Sequence, residues 1–169
     1  MIEEIRISGL GVIDDAVVEL GPGLTVVTGE TGAGKTMVVT SIGLLLGARA
    51  DVGQVRVGAR AARVEGRVVV DPDGPVADRV ADAGGALDDD VLTVARQVSV
   101  EGRSRAWVGG RGAPVAILGE LADHLVAVHG QSDQHRLLRP SRQREVIDAY
   151  AGEEVGRPAA AYRKAYDRL

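Results

Sequence analysis

The sequence predicts an α/β fold, with a parallel core around a strand, a glycine-rich loop and a helix, joined to antiparallel strands from Met1–Leu20 and from Arg63–Val108. Three observations carry this. The apolar run Leu24-Thr25-Val26-Val27 reads as a buried strand. The segment Gly29-Glu30-Thr31-Gly32-Ala33-Gly34-Lys35-Thr36 follows it and fits G-x-x-x-x-G-K-[ST]. A helical stretch from about Gly34 to Leu46 comes next, apolar on so many sides that protein must cover most of its faces.

The other elements follow in order. Glu4-Ile5-Arg6-Ile7-Ser8 alternates with period two, and Ala16-Val17-Val18-Glu19-Leu20 is a second strand run. Gly21-Pro22-Gly23 is the turn into the buried strand. Gly47 stops the helix, and the loop from Ala48 to Gly58 carries Arg49 and Arg56. Strand patterns return at Arg63–Val70, Val91–Val98 and Arg103–Val108, separated by a proline-started helix at about Pro75–Ala83 and the acidic turn Asp88-Asp89-Asp90. Pro114–Leu125 reads as a helix, and Val126-Ala127-Val128 as a strand running into the loop His129–His135. From Pro140 onward the pattern is helical and increasingly polar. The expected organisation is a lobe over 1–139 followed by a helical segment over 140–169.

Composition limits what the chain does. Its 169 residues suit about one domain, and no apolar run is long enough to span a bilayer. The start Met1-Ile2-Glu3-Glu4-Ile5 lacks the basic and apolar regions of a signal peptide, so a cytoplasmic location without membrane contact is expected. The absence of cysteine excludes disulfides and thiolate metal sites. Net charge is −4, so any nucleic-acid contact must be local or belong to parts outside this chain. With four aromatics and no Phe, the core must be aliphatic, and base-stacking platforms are nearly absent.

The octapeptide carries the chemistry. Its glycines let backbone N–H groups curl around an anion, and the helix beginning near Gly34 aims its positive dipole end at the same place. Gly29, Glu30, Thr31, Gly32, Ala33 and Gly34 form the expected phosphate cradle, with Lys35, Thr36 and Met37 opening the helix. Lys35 is the cation for the β- and γ-phosphates of ATP, and Thr36 offers its hydroxyl to Mg²⁺. The chain has two lysines against eighteen arginines, so a lysine where the loop demands a point charge is informative.

Other candidates carry weaker signals. Val68-Val69-Val70-Asp71 is an apolar run followed by one acid, the pattern of a Mg²⁺-binding aspartate in a self-contained P-loop kinase or NTPase. Asp71-Pro72-Asp73-Gly74 is, however, strong turn chemistry, which is the preferred reading. His129, Asp133 and His135 share a loop without a fixed metal-ligand geometry and are read as polar loop residues. Arg136, Arg139, Arg142 and Arg144 form a basic stretch, closely followed by Glu145 and Asp148, and read as a solvated helix face. Trp107, the single Trp, reads as core or sheet-face packing.

The strand with Ile5-Arg6-Ile7, the octapeptide and Leu45-Leu46-Gly47-Ala48-Arg49-Ala50-Asp51 together resemble the RecN family of bacterial DNA repair proteins, relatives of the SMC proteins. Gly102-Arg103-Ser104-Arg105-Ala106-Trp107-Val108 and Val128-His129-Gly130-Gln131-Ser132-Asp133-Gln134-His135 resemble two further stretches in the same order, so the likeness runs to about Gly152. It implies a P-loop NTPase fold of ABC/SMC type: the N-terminal half of an ATPase head, with an antiparallel β portion and the start of a coiled-coil helix. It also implies that Gln131 contacts Mg²⁺ and the attacking water, and that Arg49 or Arg56 approaches nucleotide phosphates or DNA. An amide suits the first role and a planar guanidinium the second.

The same resemblance identifies what is missing. The Walker B aspartate, the catalytic glutamate and the ABC signature of such heads lie in a C-terminal portion, and none is visible here. The expected partners are therefore the C-terminal half of the same head, a second head in a homodimer, and DNA through the full-length protein, which is nucleoid-associated when acting. On this reading the chain alone binds ATP and hardly hydrolyses it, serving double-strand-break repair and recombination only when completed. The alternatives are the self-contained enzyme using Asp71 and a non-catalytic nucleotide-binding fragment.

Overall fold

The computed structural model describes residues 1–30, 34–126 and 140–166, which fall into two compact units, Met1–Ala127 and Val128–Leu169. The first unit is built on a six-stranded sheet in the order β2-β1-β3-β4-β5-β6. Its strands are β1 (Ile2–Leu10), β2 (Ile13–Glu19), β3 (Ala61–Val69), β4 (Val91–Ser99), β5 (Ser104–Val108) and β6 (Arg111–Ala113). Every pairing is antiparallel.

Period-two alternation sets which face each strand buries. Ile5 and Ile7 of β1, Val64 and Val68 of β3, Leu92, Val94 and Val98 of β4, and Ala106 and Val108 of β5 all point to one side and are buried. Three helices cover that side. They are α1 (Lys35–Leu45), α2 (Pro75–Asp82) and α3 (Val115–Leu125). Leu44 and Leu45 of α1, Val76 and Val80 of α2, and Ile117, Leu118 and Leu121 of α3 join the same aliphatic core. Gly66 lets α1 come this close: a Cβ there would stand 2.8 Å from Leu45 Cδ1. The opposite face of the sheet presents charged side chains, among them Arg6, Asp15, Arg63 and Glu65.

Two tight hairpins set the register. β1 and β2 are joined through Gly11-Val12, with Leu10 paired to Ile13 and Gly11 at φ +55°. β5 and β6 are joined through Gly109-Gly110, at φ +54° and +77°, the positive dihedrals that a two-residue hairpin turn demands. In the second unit, α4 (Pro140–Ala151) and α5 (Glu153–Tyr166) are separated at Gly152, and Tyr162 and Tyr166 stack with ring centroids 6.1 Å apart.

The expected parallel core is not formed among the described residues. Leu24–Val27, read from its apolar character as a buried strand, joins no ladder and is exposed, with Leu24 at 91% and Val26 at 67%. A strand exists only through its neighbours' backbone groups, and this run pairs with none of the six strands, not even the edge strands β2 and β6. The strand expected over Val126–Val128 lies largely outside the described residues, and Val126 itself is the extended residue closing α3.

Candidate phosphate-binding site

The described end of the octapeptide, Gly34-Lys35-Thr36, lies where α1 begins beside the β1–β2 turn. Gly34 caps the helix at φ +97°, a conformation that costs a side-chain-bearing residue about 1–2 kcal/mol. The first intrahelical bond runs from the Val38 N–H to the Gly34 carbonyl at 3.1 Å. The N–H groups of Lys35, Thr36 and Met37 therefore have no carbonyl within the helix to which they can donate. No side chain caps them, and no acid stands in the first turn. Three convergent donors and the positive end of the helix dipole make this terminus fit for a phosphate.

Lys35 supplies the charge. Its ammonium donates to the carbonyl of Glu30 at 2.6 Å and to that of Gly29, so it reaches back across the loop it follows. Thr36 is exposed next to it. Met37 is half-buried against the core and packs under the hairpin turn: a Cβ on Gly11 would meet its Sδ at 2.3 Å. Thr31, Gly32 and Ala33 lie outside the described residues, as do Gln131 and the rest of the His129–His135 loop, Arg136 and Arg139. Arg142 lies on α4, and Arg144, on the same helix, is exposed.

The two candidate arginines have different surroundings. Arg49 is exposed on the connection after α1. Arg56 is built into the turn beside the cradle. Its Nη1 donates to the Val12 carbonyl at 2.9 Å, its backbone N–H to the Gly9 carbonyl at 2.9 Å, and its Nε lies 3.7 Å from Asp14 Oδ1. Val12 and Ile13 in turn flank Gly34, at 3.9 and 3.6 Å from the place its Cβ would take. Arg56 thus holds the turn that flanks Gly34.

Asp71 is elsewhere. Its Oδ1 accepts from the Asp73 N–H at 3.0 Å and its carbonyl from the Gly74 N–H at 3.1 Å, which is the side-chain-closed turn its sequence specifies. Arg63 pairs with Ser8 near the hairpin tip, whereas Asp71 follows the other end of β3, where the Met1 amino group meets Val69. Eight residues of extended chain separate them by about 26 Å. Asp71 therefore does not stand beside Thr36, and the self-contained enzyme built on it has no metal-binding acid at the cradle.

One buried polar group escaped the sequence reading. Arg96 points inward from β4 between Val64 and Ala106, is 3% exposed, and its Nε and Nη1 have no acceptor among the described residues. Desolvation pushes its pKa below the usual guanidinium value. The signal was present as the one charged residue in the inward series Leu92, Val94, Arg96, Val98.

A family profile described as an AAA domain matches residues 4–71, which contain the cradle. The DNA repair protein RecN of Streptomyces coelicolor is 63% identical over 165 residues, covering 98% of this chain and 29% of that protein. The protein of the same name from Mycobacterium leprae is 47% identical over 173 residues, covering 99% of this chain and 29% of its own. The chain thus spans about 29% of the length of the relatives it matches. Among solved structures, the Smc head domain with a coiled coil and joint from Pyrococcus yayanosii superposes with a TM-score of 0.67 at 22% identity, covering 99% of this chain and 35% of that one. That likeness establishes the fold, a mixed α/β head region with an antiparallel sheet, and the sequence identities establish the rest: the chain belongs to the RecN family and corresponds to the N-terminal head region of its members.

Proposed function

We propose that this chain binds ATP·Mg²⁺ as the N-terminal half of a RecN-like ATPase head and, joined by the C-terminal half, hydrolyses it in DNA double-strand-break repair and recombination. The observation that carries this is the pairing of a cation and helix terminus at Gly34–Lys35 with an apolar run at Leu24–Val27 that stays exposed among the described residues. The first binds phosphate. The second is a strand awaiting neighbours, and the remaining half of a head is the partner that supplies them.

Within this scheme Lys35 leaves the Gly29 and Glu30 carbonyls to face the β- and γ-phosphates, while the N–H groups at the start of α1 hold the phosphate oxygens. Thr36 and Gln131 are the residues that would hold Mg²⁺, whose chemistry there is to neutralise charge on the β- and γ-oxygens. Gln131 also orients the attacking water, and Arg49 or Arg56 approaches the nucleotide or DNA. Residues 140–169 lead into a coiled coil. Two such heads close on each other as a homodimer and act on DNA in the cytoplasm, at the nucleoid.

The test is complementation. Supplying the C-terminal half in trans should raise both the solubility of the chain and its ATP turnover, and Gln131→Ala should then lower turnover while ATP still binds. Brisk turnover by the 169-residue chain alone refutes the half-head.

A further inference from the structure

The face of the sheet opposite α1, α2 and α3 is charged unevenly. Register places Glu4, Arg6 and Ser8 of β1 on this face, beside Asp15 and Glu19 of β2 and Arg63, Glu65 and Arg67 of β3. The matching positions on β4 and β5 are Thr93, Ala95, Gln97, Ser99, Arg105 and Trp107, with no carboxylate among them. In a chain of net charge −4, the β4–β5 side is a local reversal of sign.

A pocket of about 480 Å³ opens at the end of this region, lined by Arg60, Gln97, Ser99, Glu101, Arg103 and Arg105 among others. Glu101 is its one acid and is taken by Arg103. Arg60 and Arg105 make no ion pair among the described residues, which leaves two guanidinium groups and two neutral polar side chains facing the pocket. Guanidinium forks match the oxygens of a phosphodiester.

Beside the pocket stands an aromatic platform. Trp107 follows Arg105 on the same face of β5, about 6.7 Å along the strand. Arg63 lies over the indole, 5.4 Å from the ring centroid, while its side chain keeps 49% exposure despite its ion pair with Glu65. Gly112, paired with Trp107 from β6, has open space where a side chain would be. A basic groove alongside a half-exposed aromatic and a stacked guanidinium is the combination by which proteins hold unpaired nucleotides.

We propose that the β3–β5 region of this face binds a short single-stranded nucleic-acid segment, with phosphates against Arg60 and Arg105 and an unpaired base added to the Arg63–Trp107 stack. The surface lies across the sheet from α1, so it is separate from the Lys35 cradle and does not depend on the nucleotide reading. Double-stranded nucleic acid keeps its bases stacked inside and cannot use the Trp107 platform.

Trp107 is the only tryptophan, so its emission reports this surface directly. Titration of the chain with a thymidine oligonucleotide should quench that emission saturably, with affinity falling as salt rises. Arg60→Ala combined with Arg105→Ala should weaken binding at least tenfold and reduce the salt slope by about 1–2, each phosphate contact contributing about 0.7 on a single strand. Both arginines are exposed, so an unchanged unfolding transition confirms that the double variant is folded. Lys35→Ala should bind the oligonucleotide as the parent does. The proposal fails if the oligonucleotide leaves Trp107 emission unchanged, if the arginine variant binds equally well, or if a blunt duplex or inorganic phosphate produces the same quench at the same phosphate concentration.

Discussion

Replacing Lys35 with alanine separates the two contributions to the phosphate site, because the backbone donors at the start of α1 stay while the ammonium goes. In the free chain the lost interactions are two hydrogen bonds to loop carbonyls only five and six residues back, at an exposed position. Water replaces both, so the net cost to folding stays below about 1 kcal/mol. In the bound chain the loss is a full positive charge opposite the β- and γ-phosphates, and no other lysine or arginine is placed on α1 to replace it. A tenfold or greater drop in ATP affinity follows, equivalent to about 1.4 kcal/mol or more. Lys35→Arg should recover part of that loss, since it restores the charge but puts a planar fork where the loop accommodates a compact ammonium. Calorimetric titration with ATP and Mg²⁺, run beside thermal unfolding of the same three proteins, checks both halves of the argument. Equal ATP affinities for the parent and Lys35→Ala refute the phosphate-binding reading; a large fall in unfolding temperature for Lys35→Ala shows instead that the lysine is structural.

Arg96→Met should stabilise the 169-residue chain by about 1–3 kcal/mol in urea unfolding, because it removes a buried charge with two unpaired donors and keeps the volume; destabilisation by more than about 1 kcal/mol would reveal a partner for the guanidinium. Gly109→Ala should cost at least about 2 kcal/mol, since it adds strain at φ +54° to a Cβ 2.5 Å from both the N and O of Ala86, whereas Gly110→Ala, at φ +77° but in open space, should cost only about 1 kcal/mol. Chemical denaturation of the pair measures the difference, and equal costs would show that the close approach to Ala86 relaxes freely.

Most of the first unit was legible because its strands bury one face only. Ile5 and Ile7, or Val64 and Val68, recur every second residue, and the helices start and stop at Pro75, Gly34 and Gly47, where backbone chemistry allows little else. β6 was missed because three residues, Arg111-Gly112-Ala113, carry no alternation; the readable signal was the preceding Gly109-Gly110, a hairpin turn in two residues. The resemblance implied that Arg49 or Arg56 approaches phosphates or DNA; the structure shows Arg56 holding the Val12 carbonyl, a contact that no local pattern encodes. Contacts of this kind join residues 44 apart in the sequence and depend on how the hairpin tip meets the loop. Trp107 was expected to pack on the sheet, and it does lie on a sheet face, but its guanidinium neighbour comes from β3 through pairing rather than from its own strand.

Leu24–Val27 shows the limit of local reading most clearly. Its composition is that of a strand buried on both faces, and the octapeptide after it begins a helix as a strand-loop-helix unit requires. Yet apolar character and β-propensity measure how well a segment fits a sheet, and confer no ladder by themselves. All six strands of the first unit find their partners within it; this run finds none, and Leu24 and Val26 remain in water. The cost of that exposure is of the order of 1.5–3 kcal/mol for each large aliphatic side chain left unburied. A sequence retains such a run when another part of the protein covers it, and under the reading proposed above the covering strands belong to the C-terminal half of the head. Under that reading the apolar character of Leu24–Val27 marks a segment whose partners lie outside the six strands, and local composition cannot report where those partners are.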